Sequence, residues 1–334
     1  MSDRAGDWDA IVESVIDRTA TENGFDDVAA LIAELLPRFF SASRYDDYFH
    51  LWQEAGVHVM PVHYESPIPD TRLVSEEVWE RVSEMVGIDM NDDAQLDLLR
   101  NHFPRFRSEY DAFSDEPPPG HPTHEFYFDN TWFSGTDALA LYAMVRHFRP
   151  ALLVEVGSGF STRISARAAS LNRDTRLVCI EPYQCDSSRH EILKKGFPGL
   201  TVIDRRIEEV ELSFFDQLKN RDILFIDGSH VSRIGGDVNY LVLEIVPRLS
   251  PGVIVHIHDI YLPREYPRRF FEERRFFTEQ YLVQALLAFN SDFDIILCNS
   301  YLGAKYWSDL RETFPNSPWW GGGSLWIRRK GAAD

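Results

Sequence analysis

The chain has 334 residues, 44% of them hydrophobic, enough to bury one large core and a smaller satellite. Its 34 Lys and Arg stand against 53 Asp and Glu, a formal net charge of -19, and so acidic a surface argues against nucleic acid or an anionic membrane as partner. The acidic opening MSDRAGDWDAIVESV shows no basic-then-apolar leader, and no run approaches the roughly 18 apolar residues of a membrane span, so the expectation is a cytoplasmic protein.

Residues 1–120 read as a mostly helical region. Asp26 to Phe40 (DDVAALIAELLPRFF) and Ser75 to Val86 carry helical apolar spacing and are separated by the loop PVHYESPIPDT. The prolines of PPPG, Pro117 to Gly120, cannot continue a helix and mark the expected boundary between this region, a cap or homo-oligomer contact, and a catalytic domain over 121–334. From Ala151 onward, β-branched runs alternate with amphipathic stretches: ALLVEV, STRISARAASL; RLVCIE, SSRHEILKK; LTVID, IEEVELSFFDQL; DILFID, GGDVNYLVLEIVPRL; GVIVHIHD, FTEQYLVQALLAF; then FDIILC and GSLWIRR. This rhythm predicts an α/β fold, a doubly wound and mostly parallel sheet with crossover helices. Cys179, Cys185 and Cys298 have no CxxC spacing, and two lie in core-like runs; they read as small buried hydrophobes.

In such a sheet, ligands bind beyond the carboxyl ends of the strands. The run LLVEV ends in Gly157-Ser158-Gly159-Phe160-Ser161-Thr162-Arg163, a glycine turn leading into a helix, which suits close approach of a ligand and an anion at the helix start. Glu181 closes the next strand about two dozen residues on, where a carboxylate can accept both ribose hydroxyls of a nucleoside. A ligand-free turn and a solvated strand-end charge are the plainer alternatives. The third glycine of the dinucleotide fingerprint is replaced by Thr162, which turns the reading away from NAD.

The run VEVGSGFSTR, the acid Glu181 and the fourth-strand sequence LFIDGSH together resemble class I S-adenosylmethionine-dependent methyltransferases, over about residues 128–330. FDIILC and GSLWIRR resemble the antiparallel sixth and seventh strands that end their seven-stranded Rossmann-like sheet. The resemblance implies that Glu155, Gly157 and Gly159 line the methionine and ribose side of S-adenosylmethionine and that Glu181 holds the ribose. Ser161 and Arg163, at the helix start, are placed to meet the methionine carboxylate.

Asp227 closes the fourth strand, and His258 and Asp259 the fifth (VHIHD); strands lie about 4.8 Å apart, so these ends can converge. They resemble the metal-dependent branch of small-molecule and sugar O-methyltransferases, including macrolide-sugar methyltransferases and cephalosporin hydroxylase-like proteins. That resemblance implies a divalent ion held by Asp227, His258 and Asp259. Where the branch has Glu-Asp this chain has His258-Asp259, which moves the preference from Mg towards Mn, Fe or Zn. A methyl acceptor must lose a proton, and His230, in DGSH three residues past Asp227, is the candidate general base, against the plainer reading of a turn histidine. His256 shares a face with His258; a histidine packed and bonded to backbone and a functional one are both open readings, and it is left out of the site. Glu279 and Gln280, in TEQY, are candidate supporting groups. PREYPRRFFEERRFF, Pro263 to Phe277, reads as a solvated charged stretch, with a lid over the substrate that attracts an acidic compound as the alternative, and PWWGGG as a loop on the core edge, with an apolar wall over the acceptor as the alternative. The expected activity is methyl transfer to a hydroxyl, less readily an amine, of a small molecule or sugar. The alternatives are a metal-dependent oxygenase on the same fold, with one His and two carboxylates for iron, and a non-catalytic cofactor-binding protein.

Overall fold

The computed structural model describes residues 5–19, 24–41, 45–119, 124–182 and 194–331. The chain divides into two units, 1–75 and 76–334. The first carries the helices Ala5–Thr19, Gly24–Ser41 and Tyr45–Glu54. The expected stretch Asp26 to Phe40 lies inside the second of these, with Asp26 and Asp27 in its first turn and Arg38 in its last, as the helix dipole favours. The stretch Ser75 to Val86 is helical only over Glu77–Glu80. Beyond it Arg81 turns extended, Val82 bridges Arg264, and Ser83 N–H donates to Pro263 O at 2.7 Å, so tertiary pairing replaces the next helical turn.

Residues 76–119 share a core with the sheet, so Pro117–Gly120 does not divide the two units. Leu99, Phe103 and Tyr110 are buried with Phe314 and Tyr142, and the Tyr110 hydroxyl donates to Thr313 O at 2.8 Å. Gly120 itself lies outside the described residues, as do Cys185 and most of SSRHEILKK. Cys179 and Cys298 are buried and free. IEEVELSFFDQL forms two short 3₁₀ turns, Ile207–Glu209 and Leu212–Gln217.

The seven strands are β1 (Leu152–Val156), β2 (Arg176–Ile180), β3 (Leu200–Ile203), β4 (Ile223–Ile226), β5 (Ile254–Ile257), β6 (Phe293–Cys298) and β7 (Leu325–Arg329). They stand in the order β3-β2-β1-β4-β5-β7-β6. The neighbours from β3 to β5 pair parallel, and β7 pairs antiparallel with both β5 and β6. Only β7 therefore runs in reverse, which corrects the expected antiparallel β6. The Glu279–Leu287 helix brings β6 round as a crossover, and the return loop inserts β7 between β5 and β6.

Side chains of β1 alternate between two cores. Leu153 packs with the helices Gly135–Phe148 and Phe160–Asn172; Leu152, Val154 and Val156 pack on the other face with Val238, Leu241 and Val283. Both faces are thus covered, which is why these strands read as continuous apolar runs. Among the described residues no helix is long and apolar enough to cross a membrane.

Candidate active site

Register places the strand ends. Ile180, Val156, Ile226 and Ile257 are successive partners across β2, β1, β4 and β5. The next residues, Glu181, Gly157, Asp227 and His258, form one row, tied by Gly157 N–H to Ile180 O (2.9 Å), Asp227 N–H to Val156 O (3.0 Å) and His258 N–H to Ile226 O (2.9 Å). This row spans the place where strand order reverses between β1 and β4. Gly157 has φ +97, and a Cβ there would stand 2.5 Å from the Asp227 carbonyl oxygen, so only glycine fits.

Glu155 lies beneath this turn, outside the residues that line the two cavities. It is fully buried and accepts hydrogen bonds from Ser161 Oγ (2.5 Å) and Thr162 Oγ1 (2.9 Å), both through Oε1. Thr162 Oγ1 also accepts the Gly159 N–H at 2.8 Å, so the residue replacing a third glycine is a strut between the turn and the buried acid. Burial pushes the Glu155 carboxyl up to about 8, against the opposing hydrogen bonds from Ser161 and Thr162. Arg163 does line the cavity, but its guanidinium lies 4.2 Å over the Phe160 ring and donates to Glu125 O at 3.1 Å.

The expected chemical groups converge beyond β4 and β5. His230 Nδ1 stands 3.0 Å from Glu279 Oε2, and its Nε2 stands 3.3 Å from Asp227 Oδ1 and 3.6 Å from Asp259 Oδ2. His258 Nε2 is 3.9 Å from Asp259 Oδ1. His230 and Asp259 both hold left-handed backbones, φ +59 and +54, a conformation uncommon outside glycine that here aims two side chains at one place. Burial opposes charge on His230, but the Asp227 and Glu279 carboxylates outweigh it and hold the imidazole well above its ordinary value. Burial likewise pushes the Asp227 carboxyl up, and the His258 and His230 imidazoles overcome it, leaving Asp227 at about 2. His256 is a packed residue. It is fully buried, stacked 4.1 Å from Phe225, with Nε2 2.9 Å from Ser324 Oγ, and burial lowers its pKa well below normal.

Two cavities open along this row. The smaller, about 230 Å³, is bordered by Glu181, Ile207, Glu208 and Asp237; the larger, about 570 Å³, by the glycine turn, Glu181 and the His230 cluster. Glu181, Gly157 and Asp227 border both.

Residues 154–260 match a family model described as a methyltransferase domain. An uncharacterised protein of Archaeoglobus fulgidus is 35% identical over 179 residues, covering 51% of this chain and 78% of that one. The chain carries a methyltransferase domain. Solved structures similar to this methyltransferase include TomG, an O-methyltransferase of Streptomyces achromogenes involved in tomaymycin synthesis, in complex with S-adenosylmethionine. TomG is 16% identical, with 77% of this chain and 100% of that chain covered and a TM-score of 0.36. An O-methyltransferase from Bacillus cereus with S-adenosylhomocysteine is 16% identical, with 71% and 91% covered and a TM-score of 0.35.

The residues present fit S-adenosylmethionine. The turn at Gly157 is open where a Cβ would close it, and Glu181 borders both cavities at the end of β2. A metal ion fits less well. Among the described residues no three His, Cys, Asp or Glu side chains gather as an ion would require, because His230 Nε2 stands between the Asp227 and Asp259 carboxylates. Phe277 and Arg275 line the larger cavity from within the charged stretch, where the sequence favoured a solvated segment over a substrate lid, and the loop at Trp132 and Phe133 was missed. It gave Glu279 only a supporting place, although this buried carboxylate touches His230 directly.

Proposed function

We propose that this methyltransferase moves a methyl group to a hydroxyl of a small molecule, with an amine as the lesser acceptor, and that His230 takes the hydroxyl proton. The observation that carries this reading is the placement of His230, with Nδ1 3.0 Å from the buried Glu279 and Nε2 beside Asp227, at the edge of the cavity formed by the glycine turn. S-adenosylmethionine, when bound, supplies an electrophilic methyl group on a sulfonium. Glu181 would hold its ribose and the turn at Gly157 and Gly159 its remaining length, with Ser161 and Arg163 towards the methionine end. Glu279 accepts the Nδ1 proton and so directs Nε2 to the cavity, the arrangement a general base needs. Because the surrounding carboxylates raise its pKa, His230 gains base strength in its neutral form, and turnover should rise as pH rises through that raised value.

The test is calorimetric titration with S-adenosylhomocysteine followed by transfer of labelled methyl to a panel of hydroxyl compounds. His230→Ala should keep cofactor binding and lose roughly 10²- to 10⁴-fold in turnover. Cofactor binding with equal turnover in wild type and His230→Ala would overturn the assignment of the base. A metal-assisted form is the second reading, favoured by the donor types of Asp227, His258 and Asp259, two carboxylates and an imidazole. It requires His230 to leave the space between the carboxylates, and activity undiminished after chelation would refute it.

A further inference from the structure

Beyond the His230 cluster, the larger cavity has walls unlike those of its glycine-turn side. Phe133 lies against His258 with ring centroids 4.9 Å apart, and Phe277 against His230 at 4.8 Å. Trp132 borders the same cavity with 77% of its surface in water. An indole left so open at a cavity's edge is apolar area that a flat ligand would cover.

These walls are fixed before any ligand arrives. Asn130 Oδ1 accepts the backbone N–H groups of Trp132 (3.1 Å) and Phe133 (2.8 Å), and its Nδ2 donates to Tyr127 O at 2.7 Å. Ser134 Oγ donates to Phe128 O at 2.7 Å and closes the same loop. On the other segment, the N–H groups of Thr278 and Glu279 both donate to the His230 carbonyl, at 2.9 and 3.1 Å, so the Phe277 wall is fixed relative to the imidazole. A surface already ordered binds without the entropy loss of ordering it.

Apart from Asp227, Ser229, His230, His258 and Asp259, which also border this cavity, polar side chains beside the aromatic walls are few. Thr131 offers a hydroxyl, and Arg275 is paired with Glu273 at 2.9 Å and lies 5.3 Å from the centre of the Phe270 ring. A sugar turns hydroxyls outwards all round, and each needs a partner when buried. Three aromatic walls meet that need poorly and meet a flat apolar ring well.

We propose that the acceptor is a planar aromatic compound bearing the reacting hydroxyl on its ring, held against Trp132, Phe133 and Phe277; this rests on the methyl-transfer reading above. The ring O–H bond breaks as its proton passes to His230 Nε2, and an oxygen electron pair forms the new bond to the methyl carbon. The S–CH₃ bonding electrons stay on sulfur, which leaves as the neutral thioether, and the proton on His230 is later released to water. A phenol, near tyrosine's pKa of about 10, yields its proton to an imidazole far more readily than an alkanol, whose acidity lies closer to water's, about 15.7.

The experiment is calorimetric titration of protein saturated with S-adenosylhomocysteine, using 2-naphthol and methyl glucoside as probes. Naphthol should bind more tightly than the glucoside and lose about tenfold in affinity in Trp132→Ala, a change at a side chain mostly in water that leaves the core untouched. Phe277→Leu should weaken naphthol to a similar extent. Naphthol that fails to bind, binds no better than the glucoside, or binds equally to wild type and Trp132→Ala overturns the aromatic acceptor and leaves the methyl-transfer reading standing. Failure of S-adenosylhomocysteine to bind at the outset overturns that reading, and the aromatic acceptor falls with it.

Discussion

Replacing Glu155 by Gln tests whether the acid under the glycine turn is neutral in the working protein. Its carboxyl is fully buried, with Oε1 receiving two hydroxyls and Oε2 without a partner, and burial raises it from 4.5 to about 8. The folded pKa lies above the unfolded one, so the stabilising contribution is complete below about pH 4.5 and declines as pH rises through about 8, because the unfolded chain gives up the proton that the folded chain keeps. Over that window the slope is about 1.4 kcal/mol per pH unit, so this one group removes about 3 kcal/mol of stability between about pH 5 and pH 7.5. Glutamine has the same shape and no proton to lose. Urea unfolding of wild type and Glu155→Gln across that range should show the two stabilities diverging by this amount, the variant falling less. His230 contributes pH dependence of the same sign, present in both proteins, and cancels in the difference. Parallel curves would show that Glu155 is ionised in the folded chain and would refute the reasoning.

Glu279→Gln removes the charge behind His230 and should lower its pKa, so the rising limb of turnover against pH moves to lower pH while peak turnover falls; an unmoved limb would show that His230 does not govern it. The stability that His230 draws from its carboxylates is present in full below about pH 6.5 and lost as pH rises through its raised folded value, so Glu279→Gln should also flatten alkaline loss of stability in thermal melts. Gly157→Ala sets a Cβ against the Asp227 carbonyl at a positive φ, strain of about 1–3 kcal/mol, and should weaken S-adenosylhomocysteine binding about tenfold or more by calorimetry. Tyr110→Phe leaves the buried Thr313 carbonyl without its donor and should destabilise the 76–334 unit by about 1–3 kcal/mol in urea.

The strands were legible because both faces of the sheet are covered, so LLVEV, RLVCI and ILFI stand out as apolar runs bounded by turn residues. The strand-end residues were legible for the same reason: once the strands are placed, parallel pairing puts Glu181, Gly157, Asp227 and His258 in one row. What escaped depends on contacts far apart in sequence. The direction of Glu155 follows from two hydroxyls six and seven residues on, which only helix geometry brings beneath it. Residues 76–119 read as part of a separate region because nothing local announces that Tyr110 meets Thr313, 203 residues away. The charge of Pro263 to Phe277 favoured a solvated segment over a lid, and the Phe277 ring becomes a wall because the chain after it is bound to the His230 carbonyl.

That last attachment sets unequal freedom on the two sides of the cavity. The segment bearing Phe277 shares its hydrogen bonds with the peptide of His230, so a change of backbone there is felt by the imidazole at once. The loop bearing Thr131 and Trp132 is gathered by Asn130 and touches the imidazole through no backbone bond of this kind. If the acceptor lies against Trp132 and Phe277 as proposed, variation in what the enzyme accepts can accumulate at 131 and 132 with the chemistry left intact, whereas position 277 must change in concert with its histidine. A library aimed at new acceptors would begin at the first pair and hold the second segment constant.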